Sequence, residues 1–132
     1  MKVCDTSVLV AAFARWHEAH TEAAAAVRAS DGLVEHVAVE TFSVLTRLPP
    51  PRRVPPGIVV DFLDHHYPGL RLPGVRSADV LGTARDAGIV GGAVYDLLVG
   101  LSARDAGAVL LSLDRRATAT YAAAGVAHEL VS

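Results

Sequence analysis

The sequence predicts an α/β fold, a three-layer α/β/α sandwich around a mainly parallel central sheet. Three observations carry this. Short β-prone runs alternate with helix-prone stretches along the whole chain, which implies strands joined by helical crossovers. The run Ala108-Val109-Leu110-Leu111-Ser112-Leu113 is almost continuously apolar, as a central parallel strand covered on both faces must be. The 132 residues are 52% hydrophobic with a mean hydropathy of +0.36, enough for one domain with a real core.

The elements follow in order. Lys2–Cys4 is a short strand, and Thr6 or Ser7 is placed to cap a helix through Val8–Phe13. Glu18–Ala29 is Ala-rich and helical, and Asp31-Gly32 ends it. Residues 33–37 form a second strand, and 38–48 a helix with Val39, Phe42 and Leu45 on one stripe. Five prolines within residues 49–56 make a loop, because proline cannot continue a helix. Ile58–His66 is helical with Pro55 and Pro56 near its start. Leu70–Leu72 is a short strand, Ser77–Ala87 a helix closed by Gly88, and Ala93–Arg104 a helix preceded by Gly91-Gly92. Arg115–Ala124 is helical, and Val126–Leu130 a final edge strand. Residues 1–132 read as a single domain.

Composition excludes several classes. Twelve basic and 14 acidic residues give a net charge of −2, so there is no strongly basic nucleic-acid coat. One cysteine, Cys4, excludes an internal disulfide framework and reads as a buried strand residue. No apolar run reaches the ~18 residues of a membrane span, and Asp5 stands where a signal peptide needs its apolar core. The expectation is a cytoplasmic protein with no membrane partner.

The placement of the acids is more informative. In open parallel sheets, sites form beyond the carboxyl ends of the strands. Asp5 follows the first strand and Asp114 the best one. Glu40 follows the second strand, in the first turn of its helix, and Asp96 is in the first turn after Gly91-Gly92. Helix dipoles and turns can each explain one such acid, but four at one sheet edge are harder to obtain that way. Gly100 and Ala103 share a helix face with Asp96, and would let that helix lie close to the sheet. Ser112 alternates with Asp114, so its hydroxyl can face the same pocket. Four carboxylates so close cannot all stay ionised unless cations share the space. All-oxygen donors favour Mg²⁺ or Mn²⁺ over Zn²⁺. Such a site can hydrolyse a phosphodiester by in-line attack of water.

Four segments carry a family resemblance. They are Val3-Cys4-Asp5-Thr6-Ser7-Val8-Leu9, residues 39–49 around Glu40, Gly91-Gly92-Ala93-Val94-Tyr95-Asp96-Leu97-Leu98, and residues 107–117 around Asp114. With these segments the chain resembles the PIN-domain ribonucleases of the VapC toxin type. The resemblance implies a Mg²⁺- or Mn²⁺-dependent endoribonuclease and a cognate antitoxin protein. It also implies a homodimer or a toxin–antitoxin hetero-oligomer. It carries the family's acids onto Asp5, Glu40, Asp96 and Asp114, and its polar pocket residues onto Thr6 or Ser7 and Ser112. Some relatives have an acid or Asn where Arg116 stands, which leaves one metal or two open.

Arg47, two turns after Glu40 and about 10.5 Å along the helix, is a candidate for RNA phosphate, as are Arg115 and Arg116. Arg15, Arg52 and Arg53 are further basic positions. His17 and His20, read as one helix face, lack the clustered ligands of a zinc site. Trp16 and Tyr67 are candidates for base stacking, with core packing the simpler reading. Val8, Leu9, Phe13 and Ala23–Val27 offer a groove for an antitoxin helix, or ordinary core. A phosphatase with an Asp nucleophile would want a second Asp where Ser7 stands, and a later Lys; Lys2 is the only Lys. The remaining rival is a catalytically silent PIN module that binds RNA or a protein partner.

Overall fold

The computed structural model describes residues 1–132. Its elements are β1 (Lys2–Cys4), α1 (Thr6–Phe13), α2 (His20–Ala29), β2 (Leu33–Val34), α3 (Glu35–Thr46), α4 (Pro56–His66), β3 (Arg71–Leu72), α5 (Ser77–Ala87), α6 (Ala93–Asp105), β4 (Val109–Ser112), α7 (Arg115–Ala123) and β5 (His128–Leu130).

All strand pairs are parallel: β1 with β4, β4 with β5, and β2 with β3. A parallel bridge between Val3 and Gly32 joins the two groups, giving the order β3-β2-β1-β4-β5. The chain steps from β1 outward to β2 and β3, then returns past β1 to β4 and β5. Helices α1–α4 pack with one another, as do α5–α7; right-handed crossovers in opposite directions put two such groups on opposite faces of the sheet. The expected three-layer α/β/α sandwich is therefore observed. The change of direction puts a crevice beyond the carboxyl ends of β1 and β4.

Local chemistry explains the ends. Gly88 closes α5 at φ 69°, a left-handed conformation open to glycine without a Cβ penalty. Pro56 begins α4, where its missing N–H has no helical partner to lose. The core is apolar and closed: Val3, Cys4, Leu9, Leu33, Val37, Leu45 and Leu110 are all at 0% exposure.

Several boundaries differ from the sequence reading. The second strand stops at Val34 and α3 starts at Glu35, so Glu40 lies in the second turn of its helix rather than the first. The α1 cap is Asp5, not Thr6 or Ser7: its carboxylate accepts from the Val8 amide at 3.4 Å. Helix α2 starts at His20, so His17 belongs to the preceding turn and shares no helix face with His20. Gly100 does not face the sheet. A Cβ there would meet Tyr121 Cδ1 at 3.0 Å and Val126 Cγ2 at 3.2 Å, so the missing side chain makes room for α7. No helix is long and apolar enough to cross a membrane.

Candidate active site

Asp5, Glu40, Asp96 and Asp114 border one cavity of about 570 Å³ at the carboxyl ends of the central strands. Four separate stretches of chain supply them.

Asp5 is the buried member, at 4% exposure. Parallel pairing fixes its backbone, with its N–H donating to the Leu111 carbonyl at 2.9 Å. Its side chain is held from several sides. The Ser7 hydroxyl and the Val8 amide donate to Oδ1, and the Tyr121 hydroxyl donates to Oδ2 at 2.8 Å. Burial pushes the Asp5 carboxyl above its ordinary range; nearby Ser112, Ser7, Tyr121 and the Val8 amide act against that shift.

Asp114 is exposed and has a second task. It caps α7, with Oδ1 accepting from the amides of Arg116 at 2.8 Å and Ala117 at 3.4 Å. The Ser112 hydroxyl accepts from the Asp114 amide at 3.0 Å and lies 3.4 Å from the Ser7 hydroxyl. Ser7 Oγ also accepts from the Leu113 amide at 2.9 Å. A small hydroxyl network thus ties the end of β1 to the end of β4. Ser112 supports the site from beneath and does not line the cavity, whereas Thr6 and Ser7 do.

Asp96 sits in the first turn of α6, after Gly92. Burial and then the charges of Asp114, Glu40 and Asp5 push its pKa up to about 6. That repulsion is the electrostatic signature of four acids sharing one space. The Glu40 carboxyl is raised by burial, opposed by His36, raised further by Asp5, and opposed by Arg47. His36 Nε2 lies 2.9 Å from Glu40 Oε1 but is not aligned as a hydrogen bond. The His36 ring stacks on Tyr95 at a 4° interplanar angle.

Of the three arginine candidates, Arg115 borders the cavity; Arg47 and Arg116 do not. Arg47 follows the end of α3 and donates to Ser43 Oγ at 2.9 Å. Tyr67 is no stacking platform: it is 4% exposed, with its hydroxyl 2.8 Å from that of Ser30. Trp16 is exposed but lies under the Arg52 guanidinium, 3.9 Å from its ring centre. Cys4 is buried, and burial pushes its thiol up to about 12, which keeps it inert. Val8, Leu9 and Ala23 are fully buried core rather than groove. Phe13, Ala24 and Val27 do border a second cavity of about 580 Å³, together with Trp16 and Phe62.

Tyr121, His36 and His17 were not legible as site residues. Tyr121 reaches Asp5 only through the packing of α7 on α6. His36 sits four residues before Glu40, a helical spacing that signals proximity to an acid. His17 borders the acid cavity from the turn before α2.

No three Asp, Glu, His or Cys side chains close into a ready-made coordination set. The acids stand around the cavity instead. Their chemistry nonetheless fits a hard divalent cation: every acid donor is oxygen, one carboxylate is deeply buried, and another is raised by three like charges.

The PIN domain family matches residues 2–123. Ribonuclease VapC40 of Mycobacterium tuberculosis is 46% identical, over 97% of this chain and 97% of its own. Ribonuclease VapC27 of the same species is 37% identical, over 97% and 94%. Among solved structures, FitAcB from Neisseria gonorrhoeae superposes with a TM-score of 0.70 at 16% identity, covering 97% of this chain and 96% of that one, which shows a shared fold. The chain belongs to the PIN-domain family, and within it to the VapC type.

Proposed function

We propose that the protein is a metal-dependent endoribonuclease, the toxin of a toxin–antitoxin pair, and that Asp5, Glu40, Asp96 and Asp114 are its catalytic acids. One observation carries the reading. Asp5, Glu40, Asp96 and Asp114, from distant parts of the chain, border one cavity together with Glu18, and burial followed by the charges of Asp114, Glu40 and Asp5 lifts Asp96 to about 6. The VapC ribonucleases named above support it.

Asp5, Asp96 and Asp114 would hold Mg²⁺ or Mn²⁺, with Glu40 completing the shell. The ion would polarise a phosphodiester and lower the pKa of a bound water. The chain's own groups do the rest. Ser7 and Tyr121 fix both oxygens of Asp5, so that carboxylate needs no reorganisation. Glu40, half-buried and raised, orients the attacking water or takes its proton. Arg115 meets the RNA backbone at the cavity rim, and Arg47 and Arg116 meet phosphates further out. Thr6 and Ser112 tune the pocket by their hydroxyls. An antitoxin helix docks in the second cavity, against Phe13, Trp16 and Phe62.

RNA cleavage should stop with EDTA and return with Mg²⁺ or Mn²⁺. Asp5→Asn should abolish it and keep the fold, since the amide oxygen can still cap α1. Cleavage by this variant at the wild-type rate would refute the assignment.

A further inference from the structure

The turn between α1 and α2 carries a group whose chemistry the acids do not supply. His17 borders the same cavity as Asp5, Glu40, Asp96 and Asp114. Its tautomer is fixed by its surroundings. The Ala19 backbone N–H donates to His17 Nδ1 at 3.0 Å. An amide nitrogen only donates, so Nδ1 must present a lone pair, and the neutral ring carries its hydrogen on Nε2. No protein group pairs with that Nε2, whereas the Ser7 and Tyr121 hydroxyls at the cavity both donate to Asp5; the Thr6 hydroxyl is the unpaired oxygen donor there.

The turn itself is firmly built. The His17 amide donates to the Ala14 carbonyl at 3.0 Å, and the His20 amide to the His17 carbonyl at 3.1 Å. His20 Nδ1 lies 2.9 Å from the Ala11 carbonyl, which can only accept. Among the residues bordering the cavity, His17 and Arg115 alone have side-chain nitrogens, and they stand on different elements.

We infer that His17 is a substrate-binding residue whose Nε2–H donates to a non-bridging oxygen of an RNA phosphate in the cleft. The inference rests on the ribonuclease reading. A neutral donor held in one tautomer adds a directed hydrogen bond to an anion without reorganising as the phosphate arrives.

His17→Asn separates this role from a structural one. Its amide oxygen can replace Nδ1 as acceptor for the Ala19 amide, but no donor remains at the Nε2 position. His17→Gln reaches that position with an amide N–H. Binding of a short single-stranded RNA is measured by anisotropy with Ca²⁺ in place of Mg²⁺, and cleavage with Mg²⁺. For His17→Asn we expect binding and kcat/KM to fall on the order of tenfold at unchanged Tm, with partial recovery in His17→Gln. ¹⁵N resonances of the free protein should show the Nε2–H tautomer of His17. The opposite tautomer would overturn the inference. So would an Asn variant that binds and cleaves like the wild type, even if His17→Ala were impaired. A wild type that binds this RNA through His17 but cuts no RNA with Mg²⁺ or Mn²⁺ would fail the nuclease reading alone. A wild type that binds no RNA would sink both.

Discussion

Tyr121 donates its phenolic hydrogen to Asp5 Oδ2 at 2.8 Å, across 116 positions of sequence. Both residues are buried, so the carboxylate oxygen has little water to turn to if the hydroxyl is lost. Tyr121→Phe should lower stability by about 1–3 kcal/mol, read as a shift in denaturation midpoint at constant slope. It should also raise the Asp5 carboxyl further, so that saturating cleavage activity takes more Mg²⁺.

The raised acids give a pH dependence with a definite sign. Asp96 titrates near 6 in the folded chain against an ordinary 3.8. Between these values the folded state holds a proton that the unfolded state has released, so stability falls as pH rises. Asp5 and Glu40 are shifted in the same direction. Asp96 is half-exposed, and after solvent screening its share is about 1 kcal/mol. Metal-free protein should therefore melt higher at pH 5 than at pH 7. Asp96→Asn should flatten the difference, as should Mg²⁺. RNA cleavage should decline as pH falls, because protonation of Asp96 competes with the ion, and the decline should begin closer to 6 the less Mg²⁺ is supplied.

Gly100→Ala sets two effects against each other. Alanine favours a helix interior by about 1 kcal/mol over glycine. Here its Cβ would press on Tyr121 Cδ1 at 3.0 Å, and Tyr121 is both 1% exposed and tied to Asp5. The ring cannot yield without disturbing that bond. The variant should be less stable than wild type, and its cleavage should drop further than its thermal midpoint suggests.

Thr41 offers the opposite case. It is fully buried beside Glu40, and its hydroxyl has no partner. Thr41→Val keeps the shape and removes the orphan, so it should stabilise the fold by about 1 kcal/mol with cleavage unchanged. A thermal melt checks the first part and a turnover assay the second.

Much of this architecture could be read from residues alone. The apolar run of β4, the acid after β1 and the glycine that ends α5 each rest on local chemistry. The errors arose where tertiary context decides. Helix α3 begins at Glu35 directly from β2, and Val34 supplies no side-chain cap, so no start signal exists. Asp5 both caps α1 and borders the cavity, and sequence suggests only the second role. Convergence of the acids was expected from strand ends. The hydroxyl of Tyr121 was invisible because it depends on how two helices pack at Gly100.

The pairing of Lys2–Cys4 with Val109–Leu111 has a consequence for timing during synthesis. One edge of the first strand can meet Gly32 early, but the other must wait for a partner made more than a hundred residues later. A growing chain on the ribosome therefore has no assembled cleft until residues 109–114 have emerged, and Asp5 remains apart from Asp114 until then. A protein that cuts RNA while still attached to its own messenger and ribosome would endanger its own production. This topology delays the competent state until almost the whole polypeptide is out.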